Sequence, residues 1–261
     1  MNEVQNYKML LTEINKDVIT VTINRPQQKN SINVELLTEL NQLLDSIEKA
    51  SDIRFVILQG QEGVFCTGMD FEEITQTISN HQKPELSPEY YMKTLKRFTQ
   101  TSKVMIGKID GRVLAGGMGL VAACDIVISS ARSQFGLSEA LWGLLPANVM
   151  PFLIRRVGFQ KAYMLTLTTQ NISAQRAYEI HLVDELSENL DISINRLLIS
   201  LRRVNATTVG ELKNFFRKMW IINEEMEKTA IQELENLLLS PIVNENIKNF
   251  VQDKKLPWEK T

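Results

Sequence analysis

The sequence predicts an α/β protein built on a mostly parallel sheet. Three observations carry that reading. Short β-branched or fully apolar runs recur at 18–23, 55–58, 104–109 and 124–129. The stretches between several of them hold apolar residues at helical spacing, which implies crossover helices and parallel strands. Beyond about Pro146 the chain becomes predominantly helical.

The first strand pair comes from residues 8–14 and 18–23, joined by the turn Asn15-Lys16-Asp17. Arg25-Pro26 ends the second strand. A helix follows, with Ser31 or Asn33 as its N-cap. Leu36, Leu37, Leu40, Leu43, Leu44 and Ile47 share one of its faces. The run Phe55-Val-Ile-Leu58 lies between Arg54 and Gln59-Gly60 and suits a strand covered on both faces. Residues 75–88 are mostly polar, so a mobile loop is expected there, placed to cover whatever binds beside Gly68. The cycle then repeats, with a helix over 90–101, a strand over 104–109, a glycine-rich turn over 111–119 and a strand over 124–129. Residues 192–201 and 209–239 carry long helical patterns, and 254–258 form an extended tail. The expected organisation is a core over 1–190 and a helical region over 191–261.

Composition narrows the function. The 261 residues are 44% hydrophobic and 23% charged, which excludes disorder. A net charge of −2 argues against a nucleic-acid-binding face. Two cysteines and two histidines leave little material for a disulfide framework or a metal site, so no metal is expected; no cofactor is expected either. The N-terminal stretch lacks the basic start and apolar core of a signal peptide. No apolar run is long and unbroken enough to span a bilayer. A cytoplasmic protein with free thiols is expected.

Two turns carry candidate chemistry. One is Val64-Phe-Cys-Thr-Gly-Met-Asp70. The other is Leu114-Ala-Gly-Gly-Met-Gly119, which opens a short apolar helix. A Gly-Gly pair at a helix start leaves backbone N–H groups without partners, facing outward with the positive end of the helix dipole. Two such groups from separate turns make an oxyanion hole. The same glycines serve equally well for close helix–strand packing. Glu139, beside Leu141 and Trp142, is the candidate acid–base group, because burial raises a carboxyl pKa. A helix-start carboxylate held by backbone N–H groups is the competing reading. Asp125 and His181 read as structural.

The chain resembles the crotonase (enoyl-CoA hydratase/isomerase) superfamily over nearly its whole length. The resemblance is carried by Ile23-Asn-Arg-Pro26, Asn30-Ser-Ile-Asn33, Phe65-Cys-Thr-Gly-Met-Asp70 and 110–119. It continues in Phe135-Gly-Leu-Ser-Glu-Ala-Leu-Trp-Gly-Leu-Leu-Pro146, Ile172-Ser-Ala-Gln-Arg-Ala177 and Leu182-Val-Asp184. It implies a spiral of ββα units, C-terminal helices that drive a homotrimer or hexamer, and chemistry through a thioester enolate. It places the oxyanion N–H groups on Met69 and Gly116, and the catalytic carboxylate on Glu139. Asp70, Gly117, Trp142 and Asn148 fall at substrate-binding positions. Hydratases of the family carry a second glutamate. That position is Gly119 here, which disfavours water addition by a two-glutamate route.

Ala115-Gly-Gly-Met-Gly119, residues 144–156 and the closing Pro257-Trp-Glu259 resemble the dehydratases of polyketide β-branching. That implies loss of water from a 3-hydroxy-3-methylglutaryl group on an acyl carrier protein, giving a 3-methylglutaconyl thioester. Glu72 stands where users of coenzyme A often have Lys, which favours a carrier-bound arm. Lys93, Lys96, Arg97 and Arg112 are candidates for the distal carboxylate. Arg155, Arg156 and Lys161 are candidates for docking the acidic carrier. The alternatives are a hydratase or isomerase of acyl-CoA metabolism, the decarboxylase of the same cassette, and a non-catalytic RNA-binding member of the fold.

Overall fold

The computed structural model describes residues 7–61, 63–79, 87–220 and 223–259. The chain starts in an antiparallel hairpin of β1 (Leu10–Asn15) and β2 (Val18–Ile23). Asn15 pairs with Val18, so Lys16 and Asp17 alone make the turn, and Lys16 takes a left-handed φ of 56°. Helix α1 (Val34–Lys49) is capped by Asn33, whose side chain accepts from Leu36 N–H. Its buried face carries the six aliphatic residues that the spacing predicts.

From α1 the chain enters β3 (Phe55–Gln59), parallel to β2. β4 (Val64–Cys66) then leaves for a second sheet. α2 (Phe71–Ser79) and α3 (Pro88–Gln100) bring the chain back to β5 (Val104–Ile109), parallel to β3. The cycle recurs through β6 (Arg112–Leu114), α4 (Gly116–Ala123), β7 (Ile126–Ser129) and β8 (Gln134–Gly136). A single 3-10 turn follows over Glu139–Trp142. Next come α5 (Met150–Val157), α6 (Phe159–Thr168), β9 (Ile172–Ser173), α7 (Ala174–Glu179) and β10 (Glu185–Leu186). The larger sheet has the order β1-β2-β3-β5-β7-β10 and the smaller one β4-β6-β8-β9. Successive passes of the chain add one strand to each sheet and then a helix, which is the ββα spiral.

Among the described residues four helices follow: α8 (Leu190–Leu201), α9 (Ala206–Met219), α10 (Glu224–Leu238) and α11 (Pro241–Asp253). Ile194 and Leu198 of α8 cover the outer face of the large sheet, against Val18, Phe55, Ile57, Val104, Ile106 and Ile128. The main core lies on the opposite face, beneath α1, α3 and α4. Lys213 ties α9 to this body. Its buried ammonium meets the Asp125 carboxylate at 2.6 Å and the carbonyls of Phe98 and Lys103. Asp125 in turn accepts from Met105 N–H at 2.8 Å, which confirms its structural reading.

The structure revises three expectations and, at Ser31, narrows a fourth. The three-residue strands β4 and β6 fall inside stretches the sequence presents as turns, and β8 falls where it shows no strand, because strands that short show no periodicity. The loop expected over 75–88 is helical through Ser79, and Ser87 caps α3 at its other end; residues 80–86 lie outside the described residues. The long pattern over 209–239 is two helices, because Asn223 starts α10 as an N-cap with Glu224, Glu225 and Glu227 in its first turn. Ser31 caps no helix, since its hydroxyl is held by Asp70 and Arg25. Among the described residues no helix is long and apolar enough to cross a membrane.

Candidate active site

The two glycine turns meet at the start of α4. A Cβ on Gly68 would lie 3.0 Å from Gly116 N, and Gly68 itself sits at φ +88°. Only glycine combines that backbone with that approach. The residue before Gly116 is strained too: Ala115, the N-cap of α4, has φ 49° and ψ −123°. Its N–H is held by Gly136 O at 2.9 Å, so β8 fixes the entry to the helix. Met69 is placed by Ile32, whose N–H donates to Gly68 O at 2.7 Å and whose carbonyl accepts from Asp70 N–H at 2.9 Å. Among the described residues neither Met69 N–H nor Gly116 N–H has an acceptor. Both residues line one cleft, of about 500 Å³.

Glu139 lines the same cleft, on the 3-10 turn after β8. Gly143 ends that turn at φ 81° and Leu144 N–H returns to Glu139 O at 3.0 Å, so the carboxyl is carried on a closed loop. Its side chain is 7% exposed, and Oε2 has no hydrogen-bond partner. Burial pushes the carboxyl up to about 7, against a smaller opposite effect of the Glu139 and Ser138 N–H groups. A carboxyl poised there accepts and returns a proton near neutral pH.

The remaining sequence-derived site residues divide. Trp142 and Asn148 line the cleft. Trp142 is packed between Phe71 and Phe250, with ring centroids 5.7 and 4.7 Å away. Asn148 Nδ2 donates to Pro88 O at 2.5 Å, and its Oδ1 is buried without a partner. Asp70 also borders the cleft, but its carboxylate is committed: it pairs with Arg25 at 2.9 Å, accepts from Ser31 Oγ at 3.0 Å and holds Glu73 N–H in α2. Gly117 lies behind the cleft, where a Cβ would run into the Cys66 carbonyl. His181 adopts a left-handed φ of 65° at the end of α7 and does not line the cleft.

Two sets of basic residues are reassigned. Lys96 pairs with Glu227 and Arg97 with Asp45, both at 2.5 Å, and exposed Lys93 is not at the cleft. Arg112 does line it, joined by Lys29 and Lys254, which the sequence did not single out. Nothing local marks those two lysines; they converge through tertiary folding. Arg155 and Arg156 do not form a docking patch. Arg155 donates to the carbonyls of Ala122 and Cys124 and stacks on Trp220, and Arg156 grips Asp184 at 3.0 Å. They satisfy carbonyls left open at the end of α4. Glu72 stands exposed at the cleft edge.

A model of the enoyl-CoA hydratase/isomerase family matches residues 13–261, and the chain belongs to that family, within the crotonase superfamily. It is an enzyme of the hydro-lyase class. The chain is 35% identical over 253 residues to the bacillaene synthase dehydratase PksH of Bacillus subtilis (strain 168), covering 97% of each chain. The crystal structure of a polyketide biosynthesis enoyl-CoA hydratase (pksH) from Bacillus subtilis superposes with a TM-score of 0.93 at 34% identity, over 97% of this chain and 100% of that one. The enoyl-CoA hydratase EchA19 of Mycobacterium tuberculosis is 28% identical over 221 residues, covering 77% of this chain and 83% of that one.

Proposed function

We propose that this enzyme removes water from a 3-hydroxy-3-methylglutaryl thioester held on an acyl carrier protein, giving the 3-methylglutaconyl thioester for polyketide β-branching. The observation that carries the reading is the pairing at positions 139 and 119. Glu139 is buried in the cleft with its carboxyl raised to about 7, while Gly119 supplies no second carboxylate. One carboxylate suffices for a syn elimination. Glu139 takes the α-proton, and the N–H groups of Met69 and Gly116 hold the enolate oxygen. The same proton then passes to the departing hydroxyl, which leaves as water. A tertiary β-hydroxyl leaves readily. Similarity to a protein named as a dehydratase of bacillaene synthase supports the same direction.

Asn148 Oδ1 and Trp142 shape the substrate's acyl end. Lys29, Arg112 and Lys254 at the cleft suit its distal carboxylate or the phosphate of the pantetheine arm. The apolar residues Leu212, Phe215, Phe216 and Met219, exposed on α9, fit an interface with further copies of the chain, as in a homotrimer or hexamer. Sedimentation velocity on the full chain tests this; a monomer at micromolar concentration rejects it.

The testing experiment is intact-mass analysis of a carrier protein loaded with 3-hydroxy-3-methylglutaryl, with the coenzyme A thioester in parallel. Loss of one water, faster from the carrier, supports the reading. Loss of water and then carbon dioxide reassigns the enzyme as a decarboxylase or a bifunctional one. Turnover of enoyl-CoA esters alone supports the second reading, a hydratase of acyl-CoA metabolism, which similarity to EchA19 favours.

A further inference from the structure

The space beside Gly119 is not empty. A Cβ built there would overlap Tyr91 Oη and lie 3.2 Å from Leu95 Cδ1. A side chain at 119 therefore requires the Tyr91 hydroxyl to move from this position. Tyr91 sits in the first turn of α3, the helix whose first residue is held by Asn148. Its ring is 7% exposed, and it lines the cleft with Glu139 and Gly116. Its Oη donates to Gly116 O, and a Cβ on Gly116 would lie 3.6 Å from that oxygen. The hydroxyl thus stands beside the turn that carries a candidate oxyanion N–H.

Burial, with smaller contributions from Cys66 and Glu139, holds the phenol pKa well above its ordinary value of 10. The group is neutral throughout the working pH range. A phenol has one hydrogen, and Gly116 O takes it. What Tyr91 offers the cleft is therefore an acceptor lone pair.

We propose that Tyr91 is a further catalytic residue, whose Oη accepts a hydrogen bond from the substrate's β-hydroxyl and holds that oxygen beside Glu139. This role rests on the dehydration reading above. During the step Glu139 takes the proton from Cα, the Cα–Cβ double bond forms as the Cβ–O bond breaks, and Glu139 returns its proton to the departing oxygen. Water leaves with its original hydrogen still directed at Tyr91, which keeps its own proton. Tyr91 thus positions the leaving group from the side where a residue at 119 would otherwise stand.

The test compares wild type with Tyr91→Phe on two carrier-bound substrates. One is 3-hydroxy-3-methylglutaryl. The other is 3-methylglutaryl, which keeps the α-protons and lacks the hydroxyl. Dehydration is read by intact mass, and proton abstraction alone by deuterium uptake from D2O. The expected result is a fall in dehydration of about 10- to 100-fold, the effect of losing one hydrogen bond to the reacting group, with deuterium uptake within about twofold of wild type. Retained uptake also shows that the variant is folded. Gly119→Ala, which pushes the phenol aside without removing it, is expected to give the same pattern. Equal losses in both readouts overturn the proposal and assign Tyr91 to support of the Gly116 turn. Unchanged dehydration in Tyr91→Phe overturns it directly. A wild type that takes up deuterium but never loses water overturns the dehydration reading, and this role with it.

Discussion

The Arg25 guanidinium meets the Asp70 carboxylate at 2.9 Å, with both side chains more than nine-tenths buried. Asp70 follows Met69 in the chain, so a contact between residues 45 apart anchors the turn that carries one candidate oxyanion donor. Ser31 closes the arrangement, because Arg25 reaches the Ser31 carbonyl while the Ser31 hydroxyl donates to Asp70. Each charge is compensated by the other and by these hydrogen bonds.

Removing one partner leaves the other charged and buried. Asp70→Ala is expected to cost about 3–5 kcal/mol. In a chain of this size that is a fall in Tm on the order of 10 °C. It also frees α2 from its Asp70 cap, so activity should fall more than stability alone explains. Thermal melts and rates measured well below the variant's Tm check both.

Glu139→Gln is expected to lower turnover by about 10²–10⁴-fold, the contribution of a general acid–base group, while the protein stays folded. In wild type, kcat/KM should rise with pH through an apparent pKa of about 7, because the base must be ionised. A pH profile that is flat from 5.5 to 8.5 would remove Glu139 from the rate equation.

The same carboxyl makes stability depend on pH. Its folded-state pKa of about 7 lies above the ordinary 4.5, so the folded chain holds the proton more tightly than the unfolded one. The associated stability is present below pH 4.5 and is lost as pH rises to 7. The loss is about 3 kcal/mol. Glu139→Gln should lack it, so the variant gains on wild type between pH 4.5 and 7.5. Urea unfolding of both proteins at those two pH values measures the difference.

Gly68→Ala should disable the site with little effect elsewhere. The new methyl must adopt φ +88° and displace Ala115, whose Cβ lies 2.6 Å from where it would stand. The two turns then separate, and losing one oxyanion donor costs about 10²–10³ in rate. A rate within about threefold of wild type would show that the turns tolerate separation.

Cys66 and Cys124 are both buried, and burial pushes each thiol up to about 12. Native protein should take up no label from a thiol reagent at pH 8 over minutes, whereas protein in guanidinium should take up two. Fast labelling of the native chain would contradict the packing around β4 and α4.

Much of the site is legible in the sequence because it is made of local chemistry. The glycines at 68 and 116, the Asn33 cap and the aliphatic stripe of α1 each follow from steric and periodic rules that act within a few residues. Glu139 stands out because its neighbours Leu141 and Trp142 announce burial. The assignment of Arg155 and Arg156 to a surface patch fails for the opposite reason. Their partners at Ala122, Cys124 and Asp184 are about 30 residues away, and an arginine's local sequence does not show which carbonyls it will meet. The sequence shows Tyr91 only as part of a helix, and nothing around it indicates that its hydroxyl reaches α4.

By itself the sequence determined the alternation of strands and helices, the two turns with free N–H groups and the absence of a side chain at 119. Those are properties of backbone conformation and short-range pattern. Tertiary structure alone decided that Asp70 is spent on Arg25, that Lys29 and Lys254 join Arg112 at the cleft, and that Tyr91 fills the space beside Gly119. It also set the Glu139 carboxyl at about 7. Desolvation and pairing depend on which distant residues exclude water from a group, and only the folded chain brings those residues together.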